Sequence, residues 1–282
     1  MKRLVTASFA LAMAFTVSLV AQWPQYQVPG VPRDDKGQVR MDAPVPRMSN
    51  GKPDLSGNWV RFRGEPGLAR GRGRGEAPAP APAPDSPPVA TFFELGANMP
   101  GGLPFTPWAA QLRKAREAAN AKDNPDALCL PMGITQFHMH GQPRKVMHTP
   151  LLVALMYEAN YGLRYIYTDG RALPPQGEPQ PWWYGYSVGR WEGDELVVET
   201  NNLRDDGWLD VRGSPLTGQA RITERFRRPT YGRLEIDITI EDPKAYTRPF
   251  TVRVNQQIAP DEEIIEFICN ENQQFRKLIK ID

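Results

Sequence analysis

From residue 144 onward, apolar and polar positions alternate in short runs separated by turn sequences. The clearest run is Gly232–Glu241, where Leu234, Ile236, Ile238 and Ile240 alternate with Glu235, Asp237, Thr239 and Glu241. Successive side chains of a strand point to opposite faces, so this pattern predicts one dry and one wet face. Comparable runs cover Lys145–Thr149, Leu151–Glu158, Leu163–Thr168, Tyr184–Trp191, Glu195–Asn201, Gln219–Arg228, Thr247–Gln257 and Glu263–Cys269. Asn160-Tyr-Gly162, Asp169-Gly170, Glu192-Gly-Asp194, Pro229-Thr-Tyr-Gly232 and Asp242-Pro243 punctuate them as turns. With a further strand at Gly57–Phe62, about ten antiparallel strands with short links predict an all-β, barrel-like domain.

One segment has a helical pattern. Thr106–Asp123 places Thr106 as N-cap and Pro107 at the first helical position, followed by Ala-rich sequence. Its apolar stripe, Trp108, Leu112 and Ala115, is thin, which predicts a helix lying outside the barrel. The divisions expected along the chain are an N-terminal signal (1–21), an extended arm (22–53), a first barrel strand (54–63), an insertion (64–105), a helix with connector (106–143) and the main β-barrel (144–282). The insertion carries an RGRGRG patch and an alternating Ala-Pro run, which cannot bury a core and predict a disordered excursion.

The signal is read from Lys2 and Arg3, the apolar run Leu4–Val20 and the small Ala21. An apolar run of about 17 residues is at the lower limit for a membrane span, so a cleaved export signal is the expectation, with no span remaining. Periplasmic or secreted location follows. Of the 29 prolines, 24 fall at or before Pro181, so the C-terminal hundred residues can form regular structure almost without interruption. Lys+Arg total 34 against 32 Asp+Glu, and removing Lys2 and Arg3 leaves 32 against 32. A neutral mature chain excludes a whole-molecule basic field, and with it nucleic acid as the main partner.

Export also decides how the only two cysteines are read. In an oxidising compartment, Cys129 and Cys269 are expected to form a disulfide.

Charges on faces that should be apolar are the candidate chemistry. Glu224 shares a face with Ile222 and Phe226, and Glu158 follows Leu152, Ala154 and Met156 in phase; Glu266 sits between Ile264 and Ile268. A carboxylate inside a barrel costs several kcal/mol unless paired or hydrogen-bonded. Arg164, Arg171, Arg190 and Arg225 are the candidate partners. Two readings stay open: Glu–Arg pairs that plug the barrel and fix its register, or a polar patch in a ligand cavity, with Glu158 and Glu224 as candidate acid–base groups. An enclosed cavity of roughly 300 Å³ or more, with Glu and Arg converging on it, would favour binding or catalysis, and a filled interior a scaffold.

His138 and His140 alternate, so on a strand both imidazoles would face one way, with His148 nearby. Three nitrogens could hold zinc, but no carboxylate or thiolate stands at a recognised interval, and neither metal nor cofactor is expected. Trp182-Trp-Tyr-Gly-Tyr186, with Trp191 and Trp208, supplies aromatics for a ligand mouth or for plain core. There is no Gly-Xaa-Ser-Xaa-Gly elbow, phosphate loop or dinucleotide fingerprint.

The strings YGYSVGRWEGDELVVET (184–200), YTDGRALP (167–174), ITERFRRP (222–229), EDPKAYTRPF (241–250) and EFICNEN (266–272) resemble a large family of exported bacterial proteins. The resemblance implies a secreted all-β protein. The DLSGNW opening at Asp54 resembles the Gly-Xaa-Trp start of lipocalin-like barrels, which implies that Gly57 and Trp59 close one barrel end. Across the stretch the resemblance covers, about Asn124–Asn272, Glu158, Arg164, Arg171, Trp191, Glu224 and Arg225 are the positions expected to contact a ligand. Three functions are therefore expected in turn: binding of a small apolar or amphipathic molecule, hydrolase or lyase chemistry on Glu224 or Glu158, and an envelope scaffold meeting a protein partner through its Pro-rich arm.

Overall fold

The alternating runs become strands that close on themselves. The computed structural model describes residues 27–62, 86–177 and 180–272. Its strands are β1 (Gly57–Arg61), β2 (Arg144–Thr149), β3 (Leu152–Tyr157), β4 (Leu163–Tyr167), β5 (Tyr186–Glu192), β6 (Glu195–Asn201), β7 (Gly207–Trp208), β8 (Pro215–Leu216), β9 (Arg221–Thr230), β10 (Arg233–Glu241) and β11 (Phe250–Ile258). Nine of them form a closed barrel in the order β1-β11-β10-β9-β6-β5-β4-β3-β2, while β7 and β8 make a separate two-stranded ribbon. Every barrel pairing is antiparallel except β4 with β5, which is parallel and registered only at Ile166↔Ser187 and Tyr167↔Val188. That short seam is the weakest join in the wall.

Register puts like with like. Across β9 and β10, Phe226↔Ile236, Glu224↔Ile238 and Ile222↔Ile240 share the inner face, and Arg225↔Asp237 and Arg227↔Glu235 share the outer one. Opposite charges directly across a ladder stabilise it by a few tenths of a kcal/mol each. The inner rows are buried: Val153 and Leu155 on β3, Leu196 and Val198 on β6, Leu234 and Ile236 on β10, Val252 and Val254 on β11. The void left between Val153, Leu155, Leu196, Leu234 and Ile236 measures only about 10 Å³. Trp59 is wholly buried at one end, donates its indole N–H to Leu55 O at 3.0 Å and lies under the Arg228 guanidinium at 4.9 Å. Gly57 has φ +139°, and a Cβ there would stand 3.1 Å from Ile258 Cδ1, so the start of β1 requires glycine.

The expected phase of β3 is corrected. Val153, Leu155 and Tyr157 face inward, and Met156 faces solvent. Glu158 therefore lies just past the strand at the barrel end and not in its interior.

Helix α1 (Pro107–Ala118) starts as predicted, with the Thr106 hydroxyl accepting from Ala109 N. The face it buries is Ala109 and Arg116, whereas Trp108 is exposed. Arg116 lies over the Trp208 ring at 4.5 Å and donates to Gly213 O at 3.0 Å. A long side chain can cover apolar surface with its stem, which a search for an apolar stripe overlooks.

Two further expectations are corrected. Residues 86–105 belong to the folded body, with Ala90, Leu95 and Leu103 buried, so the excursion expected over 64–105 does not extend to its C-terminal part. The Arg-Gly and Ala-Pro runs, like the signal at 1–21, lie outside the described residues. Glu263–Cys269 forms no strand; it runs irregularly into the short helix α3 (Cys269–Asn272), and Glu266 is exposed. The segment is held from several sides. Asn58 donates to Glu262 O, Ile265 N donates to Glu158 Oε2 at 3.1 Å, and Cys269 is joined to Cys129 by a disulfide. Closing 140 residues of chain stabilises by about 4 to 5 kcal/mol in the loop-entropy picture.

Candidate functional site

Helix α2 (Ile134–Met139) is the element the alternating histidines concealed. All six of its residues are buried, because it enters one end of the barrel as a plug. His138 lies on the helix and His140 is its extended C-cap residue, so the two rings do not share a side. His138 points inward and donates Nε2–H to Glu224 Oε1 at 2.8 Å, while His140 packs edge-on against Phe92. His148 sits elsewhere, accepting from Leu55 N and stacked on Trp191 at 5.7 Å. Among the described residues no group of three or more His, Cys, Asp or Glu converges as a metal cage.

Glu224 is the centre of a buried polar network. Arg164 from β4 grips it with both terminal nitrogens, Nη1 to Oε1 at 3.0 Å and Nη2 to Oε2. Arg164 also donates to the Ser187 hydroxyl at 3.0 and 3.2 Å and to Thr200 Oγ1 at 3.0 Å, and those two hydroxyls bond each other at 2.9 Å. β4, β5, β6 and β9 thus each contribute one inward polar side chain, and α2 adds the histidine. Burial alone would push the Glu224 carboxyl up, but the Arg164 charge and the hydrogen bonds from His138 and Arg164 outweigh it and hold the pKa down to about 2. Burial drives the His138 pKa below its usual value, with Arg164 and Arg144 adding to the effect, so the ring is neutral near pH 7.

A second guanidinium, that of Arg144, is wholly buried under α2. It donates to the His138, His140 and Gln142 carbonyls. A cation at the C-terminus of a helix meets the negative end of its dipole, so Arg144 holds the plug in place. Burial lowers its pKa to about 10, which leaves it charged at neutral pH.

The network reaches the outside at the β4–β5 seam. There a cleft of about 370 Å³ has Arg164, Gly185 and Ser187 in its floor and Tyr165, Trp182, Trp183 and Tyr184 in its walls. Tyr165 and Trp182 keep 46% and 43% of their surface exposed. At Gly185, with φ +61°, a Cβ would fall 2.4 Å from Asn201 O, so the turn from the aromatic run into β5 needs glycine. The cleft shares Pro181 and Arg204 with a neighbouring hollow of about 440 Å³ that Gln180, Asp205 and Asp206 complete.

The sequence-derived site residues separate. Arg164 and Glu224 come together as a pair. Arg171 stands at the cleft's edge, exposed, on the Tyr167 ring at 3.8 Å and bonded to Asp169 and to Tyr186 Oη at 2.9 Å. Trp191 faces the far part of the barrel with His148, Arg225 lies on the outer surface between Glu192 and Glu195, and Arg190 pairs outside with Glu199 at 2.7 Å. Among the described residues Glu158 meets no arginine; it accepts from Gln142 Nε2 at 3.1 Å and from Ile265 N. Trp208 is core. Ser187 and Thr200 were absent from the expected set, yet they lie on the inward phase of β5 and β6, as small hydroxyls among Gly189, Trp191 and Val198. Comparisons with protein-family models, curated proteins and solved structures returned no match.

Proposed function

We propose that the chain is an exported β-barrel protein that binds a small amphipathic molecule in the cleft at the β4–β5 seam. Export is supported by the basic-then-apolar pattern of Lys2–Val20 and by the Cys129–Cys269 disulfide, a bond that persists in oxidising compartments. The observation that carries the binding site is the cleft itself. Its volume of about 370 Å³ lies within the range of small-molecule sites, its walls are aromatic, and its floor is the rigidly held Arg164–Ser187 pair. The barrel interior is filled, so the ligand sits in the wall and not in the bore.

Acid–base chemistry has less support. Glu224 lines no part of the cleft, is ionised and gives both oxygens to Arg164 and His138, and Glu158 is engaged at the barrel end. The charge of Glu224 therefore serves to hold Arg164. Intrinsic tryptophan fluorescence and calorimetry of the exported chain against a chemically broad ligand library test the binding reading. Saturable binding that is weakened in Trp182→Ala supports it, and a library without a single hit sensitive to that substitution overturns it.

A further inference from the structure

The two hollows that meet at Pro181 and Arg204 differ in chemistry, and the difference narrows the ligand class. One is walled by aromatic rings; the other is bounded by an amide, two carboxylates and a guanidinium. From this pairing we infer that the groove binds a neutral oligosaccharide, one sugar ring lying against Tyr165 and Trp182 and the next reaching Gln180, Asp205 and Asp206. This inference rests on the cleft being a binding site.

A pyranose has a face of C–H bonds and a perimeter of hydroxyls. The C–H face, slightly positive, complements the negative face of an aromatic ring. Its perimeter needs side chains that offer donors and acceptors side by side, which carboxylate, amide and guanidinium groups supply. Tyr165 and Trp182 present exposed ring surface to the cleft. The Asp205 and Asp206 side chains are 68% and 56% exposed, so their outer lone pairs remain available although each has a cationic neighbour.

Other classes fit less well. An acyl chain is best covered in an enclosed apolar bore, and the void between Leu155, Ile166, Leu196, Phe226 and Ile236 is only about 10 Å³. An anionic ligand would meet two carboxylates, and the cations beside them are already neutralised, Arg204 by Asp206 at 3.0 Å and Lys244 by Asp205 at 3.2 Å. Arg204 is also held over the Trp183 ring at 4.4 Å, which fixes its fork at the junction of the two hollows. A neutral, ring-built, hydroxyl-rich molecule longer than one ring satisfies both halves.

The test is calorimetry on the full chain with neutral cello-, xylo-, malto- and chito-oligosaccharides of three to six rings, an acidic galacturonide series, and an uncharged apolar fluorophore. At least one neutral series is expected to bind, more tightly than the acidic one. Trp182→Ala should weaken that binding by about tenfold while Trp182→Phe restores most of it, the effect of one aromatic contact. Unfolding midpoints of both variants, unchanged from the parent, establish that the loss is local. If the fluorophore binds in a Trp182-dependent way and no neutral sugar does, the sugar inference falls and the cleft stands as an apolar site. If neither binds, the sugar inference falls, and the cleft as a binding site is judged by the broad ligand library.

Discussion

Glu224 and Arg225 are neighbours on one strand, and each is ion-paired, yet they face opposite sides of the barrel wall. Inside, Glu224 is wholly buried and bonded to Arg164 and His138, while Ser187 and Thr200 hold Arg164 in turn. Outside, Arg225 joins a lattice that runs from Arg190 through Glu192, Glu195, Arg227 and Asp237 to Arg253 and Glu235. The outer lattice has many members, from the exposed Arg190 and Arg225 to the largely covered Asp237 and Arg253; the inner network has few, all buried. A buried pair gains little over an apolar replacement, but removal of one partner strands a charge in a medium that cannot solvate it. The interior network is thus better understood as a fixed floor for the cleft than as a source of net stability.

The sharpest way to break that contrast is Glu224→Ala. It leaves Arg164 buried without its counter-charge and should cost about 3 to 5 kcal/mol in urea unfolding. The paired replacement Arg164→Met with Glu224→Leu should recover most of that loss while removing the polar floor of the cleft. Recovery of stability without recovery of ligand binding would separate the two roles; a double variant as unstable as Glu224→Ala would show that the pair is needed for folding itself.

Acid should find the same network. The Glu224 pKa in the folded protein is about 2 against an ordinary 4.5, so its contribution is complete above about pH 4.5 and is lost as pH falls toward 2. Burial depresses His138, His140 and His148 too; each is kept neutral when folded and gains a proton more readily when unfolded. Their contribution is present above about pH 6.5 and declines below it. The unfolding free energy should therefore be flat near neutrality, decline from pH 6.5 and fall further between 4.5 and 2. In Glu224→Gln the last limb should flatten, measured as the change in urea midpoint with pH.

How far this was legible depends on which period each segment carried. The two-residue alternation of β9 and β10 announced both the barrel and the inward Glu224, since a charge in phase with Ile222 and Phe226 has no other place to go. β3 misled because Leu152–Tyr157 is apolar on both phases, so its inward set was fixed only by the partners β2 and β4. His138 misled because six residues are too few to display a helical period; what makes α2 a helix is burial on all sides in the barrel end and the Arg144 cap, neither of which is local. The aromatic run Trp182–Tyr186 was visible as chemistry. That Trp182–Gly185 line a cleft follows from the two-pair parallel seam between β4 and β5, a topological fact no local pattern records.

A milder intervention touches the floor without removing a charge. Ser187→Ala deletes a hydroxyl that accepts twice from Arg164 and bonds Thr200, and leaves these buried groups short of partners. Loss of a hydrogen bond to a buried charged group should cost about 1.5 to 3 kcal/mol, less than Glu224→Ala because the counter-charge remains. Thr200→Val offers the matching control on the adjacent strand. If both variants unfold like the parent, the hydroxyl pair does not order Arg164, and the floor of the cleft is less rigid than its geometry implies.

The smallest effect belongs to the outer lattice. Arg225→Ala removes contacts to Glu192 and Glu195, but Glu195 retains Arg227 at 3.6 Å and Glu192 retains Arg190 at 3.1 Å. Each carboxylate keeps another arginine and Arg225 itself is exposed, so the cost should remain within about 1 kcal/mol. It should also shrink with salt, because the screening length drops to about 3 Å at 1 M and exposed charges then scarcely interact. Urea midpoints of Arg225→Ala and the parent should converge between low salt and 1 M salt, whereas the gap between Glu224→Ala and the parent should persist, since salt does not reach the interior. A salt-sensitive Glu224 gap would mean that water and ions enter the seam, and would collapse the distinction between the two networks.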